Sequence, residues 1–498
     1  NTAIGSQALT DITSGAGNTA IGREAAMNIT SGGENVAIGK LALATATSPS
    51  VNVAVGNESL RLTNTGAANT AVGRESGYSG TTHSGSVFIG ERAGYEVTTG
   101  NQNIAIGHNS MNGGTITGDN NVAIGANTGD ALTSGNENVF IGTDAGGTTT
   151  AGTHIVAIGR KAGEANITTD GSYSVFIGGF AGNQITSGIG NVAVGYAALD
   201  AENDGDYNVA IGYEALTDQT GTSGEVGNTA VGYRAGLNLT TAGGTVAIGY
   251  LAMGLGVVTG NDNIAIGKGT AYDLTSGAEN VIIGSDAGQN LTTGDNNVML
   301  GQQVAGQTLD VDKSVQIGFA AGNGANKTSA ADGSIFVGYA SGFAIATGER
   351  NLALGYEALR QDDDCDDSIA IGWRALYGTG TGTNTKNIAI GNYALNANMT
   401  HNQNNIAIGH QALTNLAGSG AIDNVFIGST AGQSVTNADY NVGVGSGVMG
   451  EASGNAITGN YNVAMGALAM YNAEGTVNAN TAIGYRAGFG MTTASGSV

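Results

Sequence analysis

The sequence predicts an all-β chain wound as a repetitive parallel β-solenoid of about 28 coils, each of 17–21 residues. Three observations carry this prediction. A five-residue signature recurs from one end of the chain to the other, glycine holds fixed places inside every repeat, and the composition lacks what a thick core requires.

Internal repetition settles a fold of this kind before any local propensity does. In most repeats the signature reads Asn-(Thr/Val/Ile)-(Ala/Phe)-(Ile/Val)-Gly, and its closing glycines fall at Gly5, Gly22, Gly39, Gly56, Gly73, Gly90 and Gly107, then onward to Gly484. The 28 anchor glycines define 27 intervals, of which 17 equal 17 residues and the rest run from 18 to 21. Stacked coils lie about 4.8 Å apart, so the array predicts a rod on the order of 130 Å long. The chain is expected to be one continuous solenoid over residues 1–498, an excerpt of a longer chain that opens and stops within a repeat.

Each position of the unit carries a physical expectation. The residue before the anchor glycine is always aliphatic, as in Ile21, Ile38, Val55 and Met465, and is expected inside the coil. The residue two earlier is usually Val, Thr or Ile, the β-branched set that suits strands. Between them stands Ala or, at intervals, Phe (Phe88, Phe140, Phe176, Phe336, Phe426), expected on the opposite face. The glycine ends the strand through a positive φ or a close backbone approach. Three residues further on the side chain is small (Ala25, Ala42, Ser59, Ser76, Ala93), and a packing surface between chains is expected there. The next position is Gly or Leu/Met, and a Thr-(Ser/Thr)-Gly corner closes many units, as at Thr13-Ser14-Gly15. The leading residue is Asn at 21 of 28 anchors and Ser at five, with Ile155 and Thr245 as exceptions. Stacked amides can hydrogen-bond along a ladder, so Asn18, Asn35, Asn52 and Asn69 are read as structural. The longer units are expected to bulge at 217–227, 323–333 and 450–460 without disturbing the register.

Composition agrees. Glycine occurs 87 times and proline once, which excludes collagen and proline-rich disorder. Helical repeats fail because each interior glycine costs about 1 kcal/mol. The net charge of −23 repels phosphate backbones and anionic membrane surfaces, so nucleic acid is not an expected partner. No apolar run reaches 18 residues, so no membrane insertion is expected. Cys365 is the only cysteine, so no intrachain disulfide can form.

The Asn/Ser-Val-Ala-Ile-Gly signature followed by a small residue resembles the head repeats of trimeric autotransporter adhesins. It also looks like the Thr-Ala-Ile-Gly repeats of bacteriophage tail fibres. The resemblance extends over all 28 anchors. It implies a left-handed parallel β-roll, commonly a homotrimer, that holds a receptor-binding surface away from a cell or virion. The unit is longer than that of the adhesin heads, and no coiled-coil stalk or membrane anchor is expected within residues 1–498.

Chemistry finds little purchase in such a chain. His83, His108, His154, His401 and His410 lie in different units, so neither a catalytic group nor an enzyme is expected, and no cofactor is expected either. Runs such as Gly443-Val444-Gly445-Ser446-Gly447 lack the lysine and helix of a phosphate loop. Sequons such as Asn28-Ile29-Thr30 recur because the repeat places Asn and Thr there. In the 362–367 acidic turn, Asp362, Asp364 and Asp366 alternate as at the start of a calcium loop. Asp367 stands where the loop needs glycine, so a solvated turn is the first reading and weak calcium binding the second.

The most variable column is the residue after the anchor glycine. It becomes Tyr196, Tyr213, Tyr233 and Tyr250, and later Phe319, Tyr339, Tyr356 and Trp373. Solenoid stacking would align these rings, either as plain stacking between coils or as a surface for cell-surface glycans, since flat aromatic faces suit sugar rings. The leading expectation is a non-enzymatic structural fibre of adhesin or tail-fibre type, a homo-oligomer located outside the cell, at its surface or on a virion. The alternative is a self-assembling filament or sheath subunit. Ice binding through threonines such as Thr81, Thr98, Thr115, Thr133 and Thr150 is a third reading.

Overall fold

The computed structural model describes residues 1–498 except 169–170, 221–223, 325–326, 328–330, 363, 379–383, 398–399, 417–419, 451–455, 493–494 and 498. The chain forms two compact units, Asn1–Thr245 and Val246–Val498. Each is a parallel β-solenoid built the same way, and no α-helix occurs among the described residues.

In the first unit every coil contributes one three-residue strand, from Thr2–Ile4 to Thr229–Val231. Successive strands pair in parallel and in repeat register, Thr2 beside Thr19 and Ala3 beside Ala20. The second unit repeats the pattern from Val246–Ile248 to Thr481–Ile483. Coils of 20 or 21 residues keep register, with Val209 beside Thr229 in the first unit. In the second, Val315 lies beside Ile335 and Val442 beside Val463. The parts of the expected bulges at 221–223, 325–326, 328–330 and 451–455 lie outside the described residues. Around the first bulge, Gly205–Asp206 and Gly224–Glu225 form a two-residue parallel pair at the edge.

The anchor glycines are obligatory for two reasons at once. Gly56 has φ +138°, and a Cβ on it would stand 2.3 Å from the carbonyl oxygen of Gly73 in the next coil. Beyond the anchor the coil turns through residues of left-handed backbone, such as Glu24 at φ 60° and Leu43 at φ 52°. A non-glycine residue there costs roughly 1–2 kcal/mol. The cost is offset because the same amides bond between coils: Glu24 donates its N–H to Ser6 O and Leu43 donates to Ser59 O.

The asparagine ladder forms as expected. Asn35 donates both its backbone N–H, at 3.0 Å, and its Nδ2, at 2.9 Å, to Oδ1 of Asn18. Asn18 Nδ2 in turn donates to the corner carbonyl of Gly32 at 2.8 Å. Ser86 accepts the backbone bond of Asn103 through its hydroxyl, so serine can continue the column.

The assignment of faces is the reverse of the sequence expectation. Ala20, Ala37 and Ala54 at the strand centres are fully buried, whereas Ile21, Ile38 and Val55 are half-exposed on the outer face. Ala25, Ala42 and Ala93 also point inward and are fully buried, so they form no outer packing surface. The reason is width: the interior of one coil is thin, and it takes small residues at these two positions. Volume is then made up at the fourth position after the anchor. Where the strand centre is Ala37 or Ala54, that position is Leu43 or Leu60, both fully buried. Where the centre is Phe88, the position is Gly94, and the preceding coil has Gly77. A Cβ would meet the Phe88 ring at 2.2 Å from Gly94 and at 2.7 Å from Gly77. Phe140 sits against Gly129 and Gly146, and Phe176 against Gly163 and Gly182, in the same manner.

Among the buried titratable side chains, His83 and Lys327 show the clearest effect of the core. His83 replaces a corner glycine and folds its ring over Gly80, 5.4 Å from the Phe88 ring. Burial pushes its imidazole down to about 4. Lys327 donates its ammonium to Gly322 O at 2.7 Å, and burial lowers it to about 7.

Candidate binding surface

The column after the anchor glycine projects outward, because the glycine turns the chain away from the strand face. In the first unit Tyr196, Tyr213 and Tyr233 are 38–46% exposed. Their rings stack in sequence, Tyr196 on Tyr213 at 5.2 Å and 17°, Tyr213 on Tyr233 at 5.6 Å and 15°. Phe180 meets Tyr196 edge-on at 5.8 Å. The ladder was legible, but stacking covers the ring faces and leaves edges and hydroxyls to solvent. Glu214 lies beside it and pairs with Arg234 at 2.6 Å, so the charge there is balanced. Hydrogen bonding and charge from Glu214 raise the Tyr213 phenol above its ordinary value.

In the second unit Tyr250 borders a shallow opening of about 300 Å³ with Lys268, Tyr272 and Asp286. Further along, Phe319 stacks on Tyr339 at 5.4 Å, and Tyr339 on Tyr356 at 4.8 Å and 8°. The stack stops there. Trp373, next in the column, instead tilts at 51° against Tyr393, 4.9 Å away. An opening of about 380 Å³ is lined by Tyr356, Trp373 and Arg374. Arg374 is fixed by its Nε bond to Glu357 at 2.6 Å and lies 4.9 Å from the Tyr377 ring centre. Glu357 also pairs with Arg360 at 3.4 Å.

Arg374, Glu357 and Arg360 were not singled out in the sequence, although they lie one, one and four residues from the column aromatics Trp373 and Tyr356. A second aromatic column was also missed, at the residue before the leading Asn/Ser/Ile. It stacks Tyr440 on Tyr461 at 5.0 Å and 1°, and His154 on Tyr173 at 4.8 Å. Its signal was the recurrence of aromatics one repeat apart.

The acidic turn commits most of its described carboxylates to the protein. Asp362 accepts from Asn384 Nδ2 at 3.0 Å, Asp366 from the Glu349 N–H at 2.9 Å, and Asp367 pairs with Arg350 at 2.7 Å. Asp363 lies outside the described residues. No group of three or more His, Cys, Asp or Glu is placed to hold a metal among the described residues. The threonine column turns its hydroxyls onto the next coil: Thr81 Oγ1 donates to Thr98 O at 3.1 Å and Thr133 to Thr150 O at 2.9 Å. Thr117, not Thr115, occupies this column.

No protein-family model matches the chain, and no curated protein matches it. The class is therefore defined by the fold alone, a parallel β-solenoid repeat protein.

Proposed function

We propose that this chain is a non-enzymatic structural fibre protein that assembles laterally with further copies of itself and displays a binding surface outside the cell or on a virion. The observation that carries the reading is the outer strand face. Each strand turns two of its three residues outward, and in every coil they are Thr, Val, Ile, Leu or Met, from Thr2 and Ile4 to Thr481 and Ile483. Many are well exposed, such as Ile89 at 40% and Leu354 at 44%. Contiguous exposed apolar surface of this extent marks an interaction site.

A second copy is the occupant that fits. The face repeats the same pair once per coil, and only a surface with the same period can match it along its length. Fourteen strands in each unit supply 28 outward residues, against roughly 20–30 per side in a standard interface. The resemblance noted above favours a trimer. The interior, filled by Ala, Leu and Phe side chains, supports a structural rather than an enzymatic role, and the adhesin or tail-fibre assignment rests on the repeat signature.

Sedimentation analysis tests the assembly. At micromolar concentration the chain is expected to sediment as an oligomer. Replacing Ile89, Ile106 and Ile124 by Lys is expected to shift it towards monomer while leaving the β circular-dichroism signal in place. A wild-type chain that sediments as a monomer would overturn the reading.

A further inference from the structure

Two stretches of the aromatic column differ, and the difference defines a site. At Tyr213 and Tyr233 the rings stack face to face and Arg234 is balanced by Glu214. At Tyr356 and Trp373 the stack is interrupted, and two arginines, Arg360 and Arg374, share the single carboxylate of Glu357. Tyr356 carries the Tyr339 ring on one face, while Trp373, 45% exposed, tilts against Tyr393 and has no ring of its own column stacked on it among the described residues. Arg374 is held by Nε, and its terminal nitrogens have no hydrogen-bond partner among the described residues. The result is a fixed guanidinium beside an open indole, with a local excess of one positive charge on a chain of net charge −23.

We propose that Tyr356, Trp373 and Arg374 form a binding site for a carboxylated sugar residue. The proposal rests on the reading of the protein as a display fibre and names what that surface takes. The apolar face of a pyranose packs against Trp373, with Tyr356 as the wall of the opening. The sugar carboxylate accepts two hydrogen bonds from the terminal nitrogens of Arg374, the fork geometry that suits a carboxylate. The volume of about 380 Å³ accommodates one such residue. The strong negative charge of the chain repels polyanions, so a glycan carrying a single carboxylated residue is favoured over a polyuronate. One site is weak, but copies in an assembly raise its avidity.

Titration calorimetry of the full chain at low salt tests this with 3′-sialyllactose, methyl glucuronide and their neutral counterparts lactose and methyl glucoside. Tighter binding of either acid than its neutral partner supports the site and identifies which carboxylated sugar it takes. Arg374→Gln is expected to abolish that preference. Trp373→Ala is expected to weaken binding of the preferred acid about tenfold, in line with losing one stacking partner. Tyr440→Ser, in the other column, is expected to change neither. Equal binding of acid and neutral sugars, or unchanged binding in both Arg374→Gln and Trp373→Ala, would overturn the proposal. Thermal melts of each variant separate lost binding from lost folding. The sedimentation experiment stands apart: a monomer there would remove the fibre reading and leave these titrations intact.

Discussion

Coil 35–51 and the pair of coils 69–102 share one backbone and fill it differently. Both keep the anchor glycines, the leading Asn or Ser, and parallel pairing in repeat register. In the first, the interior includes Ala37, Ala42, Leu43 and Ala46, all fully buried. In the second, Phe88 takes the space that Gly77 and Gly94 leave open, and the His83 ring covers Gly80, which has no side chain to fill the corner. The backbone columns fix the fold, while interior volume is a sum that several side-chain sets satisfy, even one with a titratable ring. Packing to near-crystalline density demands the sum rather than a given residue.

The comparison breaks most severely where both regions are alike. Gly56→Ala would place a methyl group 2.3 Å from Gly73 O in a backbone conformation that alanine avoids. We expect a loss of about 4 kcal/mol or more. Amide hydrogen exchange should show protection lost in the coils around residues 39–90 and retained further away.

A double-mutant cycle sharpens the difference itself. Gly94→Leu alone collides with Phe88 and should destabilise by about 3 kcal/mol, and Phe88→Ala alone leaves a cavity costing about 3–5 kcal/mol. Together they recreate the Ala37–Leu43 arrangement, since Leu43 already holds φ 52° in the same column. The pair should therefore recover most of both losses, a strongly non-additive result in denaturant melts. Additive losses would refute the idea of exchangeable volume.

The smallest effect is the pH dependence of the buried ring. His83 titrates at about 4 folded against 6.5 unfolded, so between those values the unfolded chain binds more protons. Stability is then full above pH 6.5 and falls as pH drops towards 4, by on the order of 3 kcal/mol. Lys327, at about 7 folded against 10.5 unfolded, gives a separate window in which stability rises from pH 7 to 10.5. His83→Leu should flatten the acid limb of the melting profile and leave the alkaline limb, and Lys327→Met the converse.

The sequence made the columns legible because each obeys a local backbone rule. The anchor glycines announced a conformation closed to other residues, and Asn18, Asn35 and Asn52 announced a ladder. The inside and outside of the strand were misread for Ile21 and Ile38 because an aliphatic residue is usually the buried one. The covariation of Phe88 with Gly94, and of Ala37 with Leu43, held the correct answer, since only side chains sharing one space compensate in volume. The aromatic column was legible down to Tyr196 and Trp373. Which rings present a free face was not, because that depends on tilt, 17° between Tyr196 and Tyr213 but 51° between Trp373 and Tyr393.

The bonds of the asparagine ladder reach 14 to 21 residues along the chain, from one coil to the next. Contacts of that span in a chain of 498 residues place the relative contact order far below the roughly 0.16–0.22 of sandwich-like β proteins. Loop closure therefore costs the same for a late coil as for an early one. Such a chain can wind as it leaves the ribosome, each new turn templated on the one just finished, with no distant segment to await.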